Sequence, residues 1–478
     1  MRSPAGPGRR GRPGKRTAIV VGGGVAGLVA ARDLAAAGRE VTLVEATHRL
    51  GGMVGRHEVA GLTLDSGAES FATRSPAVSE LAAELGLADA IVAPDPSGAW
   101  VQLPWGAEQL PKTGVLGIPA DVWAPEVRRT LGVAGALRAS LDRYLPAGFG
   151  PRGDVASVAA LVRARMGKRV LKRLVEPVVG GVHSADPAML DVDMVAPGLR
   201  AGVATHGSLA GAVAAQRRAA KAGSAVAGIA GGMNRLVAAL EADLRSRGVT
   251  VLTGRSADRL TRVDGRWLVG AGPWTGEADE LVVAIDGPAA ADLLGDAVPG
   301  LGELAPAPGP DVSLVTLVVD MPELDHAPRG TGILVAPQVD GVTAKALTHA
   351  TAKWGWLADA AGPGTHVLRL SYGRAGDDLS GYSDSDLFDA ALADATTLLG
   401  TGVTPADVLG WDVVAWPGAL PFAAVGHKQR VARVRALVAA HPGLAMAGGW
   451  LAGNGLVAVV ADARRQVRTL LGGEAPTL

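Results

Sequence analysis

The chain of 478 residues contains no cysteine. Disulfides, thiolate metal sites, cysteine nucleophiles and a cysteinyl-linked flavin are therefore excluded, and a reducing cytoplasm is the natural compartment. Aromatic residues are scarce, with three Tyr and four Phe, so the apolar share of 48% rests mostly on Ala and Val. The nine histidines lie scattered, without an HxxxH or comparable spacing, which argues against any metal site. Long apolar runs are missing too. The nearest candidate, residues 443–461, is uncharged but holds five glycines and Asn454, which suits a buried strand, turn and helix better than a membrane span.

Neither sign of charge dominates, because the formal net charge is zero. The first sixteen residues, MRSPAGPGRRGRPGKR, carry six basic side chains and no acid, so the chain from Thr17 onward has a net charge of −6 (0 minus 6). Bulk charge thus excludes a polyanion binder, and no nucleic-acid partner is expected. Residues 1–16 read as a disordered basic leader, lacking both the apolar core of a secretory signal and the apolar face of a membrane-surface helix.

What the chain does have is glycine, 67 residues of it, and the first cluster is ordered around a βαβ unit. The β-rich run TAIVV (17–21) enters Gly22-Gly23-Gly24-Val25-Ala26-Gly27, an Ala-rich helical pattern follows to about Ala37, and a second strand (40–44) ends on Glu45. Gly22 allows the tight turn, Gly24 lets backbone approach a pyrophosphate, and Gly27 lets the helix pack close on the strand. The helix N-terminus offers free N–H groups to phosphate, and Glu45 is placed to accept from a ribose hydroxyl. A lone GxGxxG is weak; strand, glycines, helix, strand and acid in order make a dinucleotide fold. Arg49-Leu50-Gly51-Gly52 then supplies a second glycine pair and a cation near the phosphates, which favours FAD over NAD.

Beyond this unit, LDSGAESFATR (64–74) is rich in small residues that let backbone lie against a flat ring. Residues 75–87 read as a helix, 100–119 as strand and loop, and 120–173 as a helical subdomain broken at Pro125, Pro146 and Pro151. Residues 201–228, low in complexity, read as flexible or poorly packed. Strands are expected at 249–252, 280–285, 313–320, 332–335 and 365–372, with a helix at 383–399. The fold class is α/β: a discontinuous Rossmann-type FAD-binding domain (17–99, 229–286 and 411–478), substrate-side strands with the helical subdomain (100–228), and an α+β substrate-binding domain (287–410).

Assembled, VVGGGVAGL, EATHRLGG, DSGAESF, LPWGAEQLPKTGVLGIP, LVEPVVGGVHSADP, GGMNRLVAAL, ALPFAAVGH and the C-terminal GNGL resemble the protoporphyrinogen/coproporphyrinogen oxidase family, within the flavin amine oxidases. The first two motifs are common to many flavoproteins; GAESF, LPK, EPVVGGVHSADP and VGH in this order are far more specific. The resemblance implies that Gly22, Gly23, Gly24, Val25, Ala26, Gly27, Glu45, Ala46, Gly51, Gly52, Gly67, Ala68, Glu69, Ser70, Asn454, Gly455 and Leu456 line FAD. It also implies that Ala257, in a segment 255–260 that resembles a strand, meets the adenine through backbone. His183 stands where an aromatic residue is common and Phe422 where relatives often have Tyr.

The resemblance implies oxidation of a porphyrinogen, removing six electrons and six protons, with O₂ as acceptor and hydrogen peroxide released. Coproporphyrinogen III, the substrate of Gram-positive relatives, is preferred to protoporphyrinogen IX. An amine oxidase, a polyene desaturase and a non-catalytic flavin or tetrapyrrole carrier are the alternatives. No catalytic side chain is assigned. Arg74 and Lys112 are the candidates for holding substrate carboxylates, and the Gly180-Gly181 segment is expected as a loop over the ring. Transient contact with other haem-pathway enzymes completes the expectation.

Overall fold

The computed structural model describes residues 15–473, apart from 112–113, 152, 154, 220–223, 375 and 419–422, and at Val182 and His183 the backbone alone. Most of the expected leader thus lies outside the described residues. Thr17–Val21 (β1) is apolar after its first residue because it is covered on both faces, as central strands of parallel sheets are. It pairs in parallel with Glu40–Val44 (β2) and with Glu280–Val283. Thr250–Leu252 and Leu444–Met446 add the outer strands of a five-stranded sheet. Four separate stretches of chain build it.

Alternate residues of β1 feed two cores. Ala18 and Val20 pack with Leu28 and Leu34 of the helix Val25–Ala36 (α1), and with Leu236, Leu240 and Val460 of the helices Asn234–Ser246 and Leu456–Leu470. Ile19 and Val21 face the opposite side, where a three-stranded antiparallel sheet, Arg259–Val263, Arg266–Ala271 and Trp274–Ala278, brings in the fully buried Trp267. This two-sided burial is what the period of two in a strand produces.

A second sheet has seven strands, in the order Val408–Trp416, Val312–Asp320, Thr365–Tyr372, Ala346–His349, Gly332–Val335, Trp100–Leu103 and Gly106–Gln109. Helix Asp384–Leu399, started by a Ser383/Asp386 capping box, packs into its core. The expected strands at 313–320, 332–335 and 365–372 are all here. The chain stays in this sheet past Gly410 as far as Trp416, because Val408–Trp416 pairs along nearly the whole of Val312–Asp320, with one bulge at Val318/Val319.

The third unit is helical and includes Pro125–Ser140, Val158–Met166, Glu176–His183, Leu199–His206 and Leu209–Ala219 around a shared core. The expectation of a flexible or poorly packed 201–228 is corrected for its described residues, 220–223 lying outside them. Leu209, Ala212 and Val213 are buried, and a Cβ on Gly202 would sit 3.0 Å from that of Ala212, so the small residues serve close helix packing. Val226–Ile229 then pairs with Phe71–Ala72 and Ile91–Val92.

Candidate active site

The glycine turn after β1 does what its spacing implies. Gly22 has φ +104°, and a Cβ there would lie 2.5 Å from the Ala284 carbonyl oxygen. A Cβ on Gly27 would lie 1.8 Å from the Gly22 carbonyl oxygen, so only glycine lets α1 start this close to the turn. Gly24 differs: a Cβ there meets nothing within 4 Å. Gly24 also N-caps α1, and no side chain caps that helix. Open space thus lies beside an uncapped helix N-terminus, which is the cradle a pyrophosphate needs.

The Glu45 carboxylate faces the same turn. One oxygen accepts from the Gly23 N–H at 2.6 Å, the other from Thr47 N and Oγ1, both at 2.7 Å. A carboxylate oxygen has two lone pairs, so the oxygen facing Gly23 keeps acceptor capacity for a ribose hydroxyl. Gly51 donates to the Gly23 carbonyl at 2.8 Å and forms a parallel bridge with Gly24, while a Cβ on Gly52 would lie 3.3 Å from the Gly24 Cα. Both glycines of that pair therefore meet the first turn. Ala46 is exposed beside Glu45. Arg49, exposed, donates at 3.3 Å to the Arg56 carbonyl.

Ala257 packs against the core around Trp267, and the strand expected at 255–260 begins only at Arg259. The backbone before it is tied to the end of β2 instead, with Arg255 N donating to the Glu45 carbonyl at 2.8 Å. Ladder bonds to β2 end at Leu252, so the chain leaves the sheet before Ala257 and enters the next one after it.

The small-residue segment after Asp65 is gripped from several sides. Ala68 N donates to the Met53 carbonyl at 2.9 Å, Trp416 Nε1 to the Ser66 carbonyl at 2.9 Å, and Arg369 Nη1 to the Asp65 and Gly67 carbonyls at 3.2 and 2.9 Å. Glu69 turns its carboxylate towards Lys353 and Arg369. Burial alone would raise this carboxyl, but the two cations outweigh it and hold the pKa down at about 2. Ser70 follows directly. Asp65 caps the Asn234–Ser246 helix through the Met233 and Asn234 N–H groups, at 2.8 and 3.0 Å; burial raises its pKa against those bonds.

At the other end of the chain, Asn454 and Gly455 lead into the helix that starts at Leu456, again without a side-chain cap or an acid in its first turn. Arg74, exposed, reaches this point: a Cβ on Gly455 would lie 3.8 Å from its Nη2. One candidate substrate cation is therefore beside one candidate flavin segment. Lys112 and Phe422 lie outside the described residues. The Gly180-Gly181 expectation is corrected, because the pair sits inside the helix Glu176–His183. Gly181 is there for packing, since its Cβ would lie 2.6 Å from Leu334 Cδ2; Gly180 faces open space.

Sequence reasoning missed the side chains that arrive from the seven-stranded sheet and from the short helix Ala350–Lys353 that follows one of its strands. Lys353 and Arg369 hold the 65–69 segment, as above. Lys345 is buried, and its amine donates to Ser184 Oγ at 2.5 Å and to the Tyr372 and Gly373 carbonyls at 3.1 and 2.6 Å, tying the end of the Glu176–His183 helix to that sheet. Burial, reinforced by Arg374, pushes its pKa down to about 7. None of these carries a local motif that could have marked it. A cleft of about 620 Å³ lined by Asp325, His326, His349 and His366 includes none of the candidate residues. Among the described residues, no three His, Asp or Glu converge to hold a metal, and no helix is long and apolar enough to cross a membrane.

The model of the flavin-containing amine oxidoreductase family matches residues 25–468. The coproporphyrinogen III oxidase of Mycobacterium leprae is 32% identical over 462 residues, 95% of this chain and 98% of that one. The Bacillus subtilis enzyme of the same name is 28% identical over 460 residues, 93% and 95% of the two chains. A crystal structure of a proposed protoporphyrinogen oxidase from Exiguobacterium sp. 255-15 superposes with TM-score 0.83 at 26% identity, covering 96% of this chain and 99% of that one. Cyclohexylamine oxidase from Brevibacterium oxydans shares the fold alone, with TM-score 0.67 at 17% identity over 96% and 99%. The expected Rossmann-type fold and FAD cofactor are borne out by these matches, and the open Gly24 cradle fits that cofactor. From its glycine turn to its final helix, this chain belongs to the flavin-containing amine oxidoreductases and, within them, to the protoporphyrinogen/coproporphyrinogen oxidase family.

Proposed function

We propose that this chain oxidises coproporphyrinogen III to coproporphyrin III, passing six electrons to three O₂ and releasing three H₂O₂. The observation that carries this reading is the end-to-end correspondence with coproporphyrinogen III oxidases, 95% of this chain against 98% of the relative. Bound FAD supplies the two-electron acceptor that the protein lacks among its own side chains.

The chain's own residues bind, orient and leave room. The α1 N-terminus at Gly24 takes the pyrophosphate, Glu45 takes a ribose hydroxyl, and the 66–70 backbone, held by Arg369 and Trp416, forms a rigid seat beside the ring. Asn454, Gly455 and Leu456 place the start of the last helix at the flavin, with the partial positive charge of that end near the ring. Arg74, beside Gly455, holds a propionate by a charge-assisted hydrogen bond. Lys112 offers a second cation. Gly180, without a side chain, leaves space for a broad macrocycle. Three protons leave the macrocycle over the whole oxidation, two from ring nitrogens, which leaves the two N–H groups of the porphyrin, and one from a bridge carbon; water takes them, so no side-chain base is required.

This work is done in the cytoplasm, with transient contact to other haem-pathway enzymes. Parallel turnover of coproporphyrinogen III and protoporphyrinogen IX by the purified holoenzyme, followed by porphyrin fluorescence and peroxide yield, is the test. Three H₂O₂ per coproporphyrin and a clear preference for the four-carboxylate substrate are expected. Flavin reduction by an amine, with neither porphyrinogen turned over, would replace this reading with an amine oxidase.

A further inference from the structure

The VGH motif, Val425-Gly426-His427, takes no part in the function above, yet its histidine is 2% exposed. His427 Nε2 lies 2.6 Å from the Trp450 carbonyl oxygen. A carbonyl can only accept, so Nε2 carries the hydrogen, and Nδ1 is a buried lone pair with no partner among the described residues. The bond to Trp450 thus fixes Nε2 as the donating nitrogen. Burial, the largest influence, keeps its pKa below the usual histidine value against the pull of the Trp450 carbonyl; the charged neighbours are Arg430, which lowers it further, and Asp191, which raises it.

Trp450 is itself buried and belongs to the short helix Gly449–Ala452, which ends at Gly453 with φ +100°. Asn454, Gly455 and the last helix follow at once. On its other side, His427 ends a strap anchored to the helical unit. Asp191 N donates to the Ala423 carbonyl at 2.8 Å, Val425 N to the Met189 carbonyl at 3.0 Å, and Gly426 N to Asp191 Oδ2 at 3.1 Å, while Leu190 and Ala424 form a bridge. Residues 423–427 thus span from the helical unit to the turn that leads into Gly455.

We infer that His427 is a positioning residue for the flavin end of the site, its Nε2–H holding the Trp450 carbonyl so that Gly453 to Leu456 and the start of the last helix stand at the ring. This rests on the reading above that the 454–456 turn meets FAD. Without the donor, the buried carbonyl loses its partner, the turn relaxes, and the helix N-terminus draws back from the ring. Less positive charge near the ring then means a less stabilised reduced flavin.

The test compares His427→Leu, which fills the volume without a donor, with His427→Gln, whose amide N–H reaches about where Nε2 stands. FAD titration of the apoprotein and the flavin midpoint potential are the readouts. His427→Leu should weaken FAD binding about 10-fold, the scale of one buried acceptor left unpaired, and move the potential negative. His427→Gln should restore both. Leu binding FAD like the unsubstituted chain, or Gln failing as badly as Leu, overturns the inference while leaving the proposed function intact. An unsubstituted apoprotein that takes up no FAD overturns the reading beneath it as well. Should His427→Leu not fold, hydrogen exchange of the unsubstituted protein decides: FAD must slow exchange in 423–427 together with 450–456, and a strap indifferent to FAD overturns the proposal.

Discussion

The molecule holds two glycine clusters of different kinds. In the turn Gly22–Gly27, each constraint comes from chain nearby or from the adjoining strand: the Gly27 Cβ would strike the Gly22 carbonyl, and Glu45 reaches back to Gly23. In the Gly180-Gly181 pair, the constraint on Gly181 is Leu334, from another unit of the fold, and Gly180 meets no packing constraint among the described residues. The first cluster leaves open space at an uncapped helix N-terminus, which fits the pyrophosphate of FAD. The second makes a helix face thin enough to press on a sheet at one residue and to leave space at the next. Glycine therefore marks close approach in both places, but only in the first does the neighbouring sequence say to what.

The sharpest way to break the comparison is Gly27→Ala. A methyl 1.8 Å from a backbone oxygen cannot rotate away, so we expect a loss of about 4 kcal/mol or more in urea unfolding. Gly24→Val, three residues earlier, should unfold at the same urea concentration as the unsubstituted apoprotein yet bind no FAD, because its side chain enters open space that the pyrophosphate needs. Equal stability loss in both variants would erase the distinction between structural and cofactor-facing glycines.

Next in size is Glu69→Gln, which leaves Lys353 and Arg369 without their carboxylate. Removing one partner of a buried ion pair costs about 3–5 kcal/mol. The pH dependence gives an independent check. Glu69 titrates at about 2 in the folded chain and near 4.5 otherwise, so its contribution is present in full above 4.5 and is lost as pH falls through about 2. The stability gap between the two proteins should therefore be flat at neutral pH and narrow between 4.5 and 2. A gap independent of pH across that window would mean that the carboxylate is not held by those cations.

Arg74→Ala tests the point where the flavin side meets the substrate side. A charge-assisted hydrogen bond of about 1.5–3 kcal/mol predicts a fall in kcat/KM for coproporphyrinogen of about 10- to 150-fold, with FAD content unchanged. If the propionate is held equally in ground and transition states, KM will carry the loss; a fall in kcat would show that Arg74 also fixes the bridge carbon. Unchanged kinetics would return Arg74 to the solvated surface.

The smallest effects sharpen the second glycine cluster. Gly180→Ala adds a methyl to open space in a helix and should stabilise the fold by about 1 kcal/mol while raising KM. Gly181→Ala should gain nothing net, since the Leu334 methyl must move to admit it. A Gly180→Ala protein with unaltered KM would place the substrate elsewhere.

By itself the sequence determined the five-stranded sheet's beginning, the glycine turn and Glu45, because strand period, glycine spacing and an acid at a strand end are written within about 30 residues, the span of one βαβ unit; the family came from a resemblance carried by motifs spread along the chain. It also placed the central strands at 313–320, 332–335 and 365–372, whose apolar runs follow from burial alone. The partners of Arg49, Ala257, Glu69 and the glycine pair lie beyond what local reading supplies. Arg49 turned to the Arg56 carbonyl, Ala257 fell between two sheets, Glu69 found two cations some three hundred positions away, and Gly181 met Leu334. Lys345 and Arg369 had no motif to announce a role, and the VGH motif did not say what His427 would hold, since their partners include carbonyls of distant segments. Only the tertiary structure decides such pairings: a buried charge or donor must be satisfied by whatever the packing of whole units brings within about 3 Å, and nothing in the neighbouring residues encodes which unit that will be.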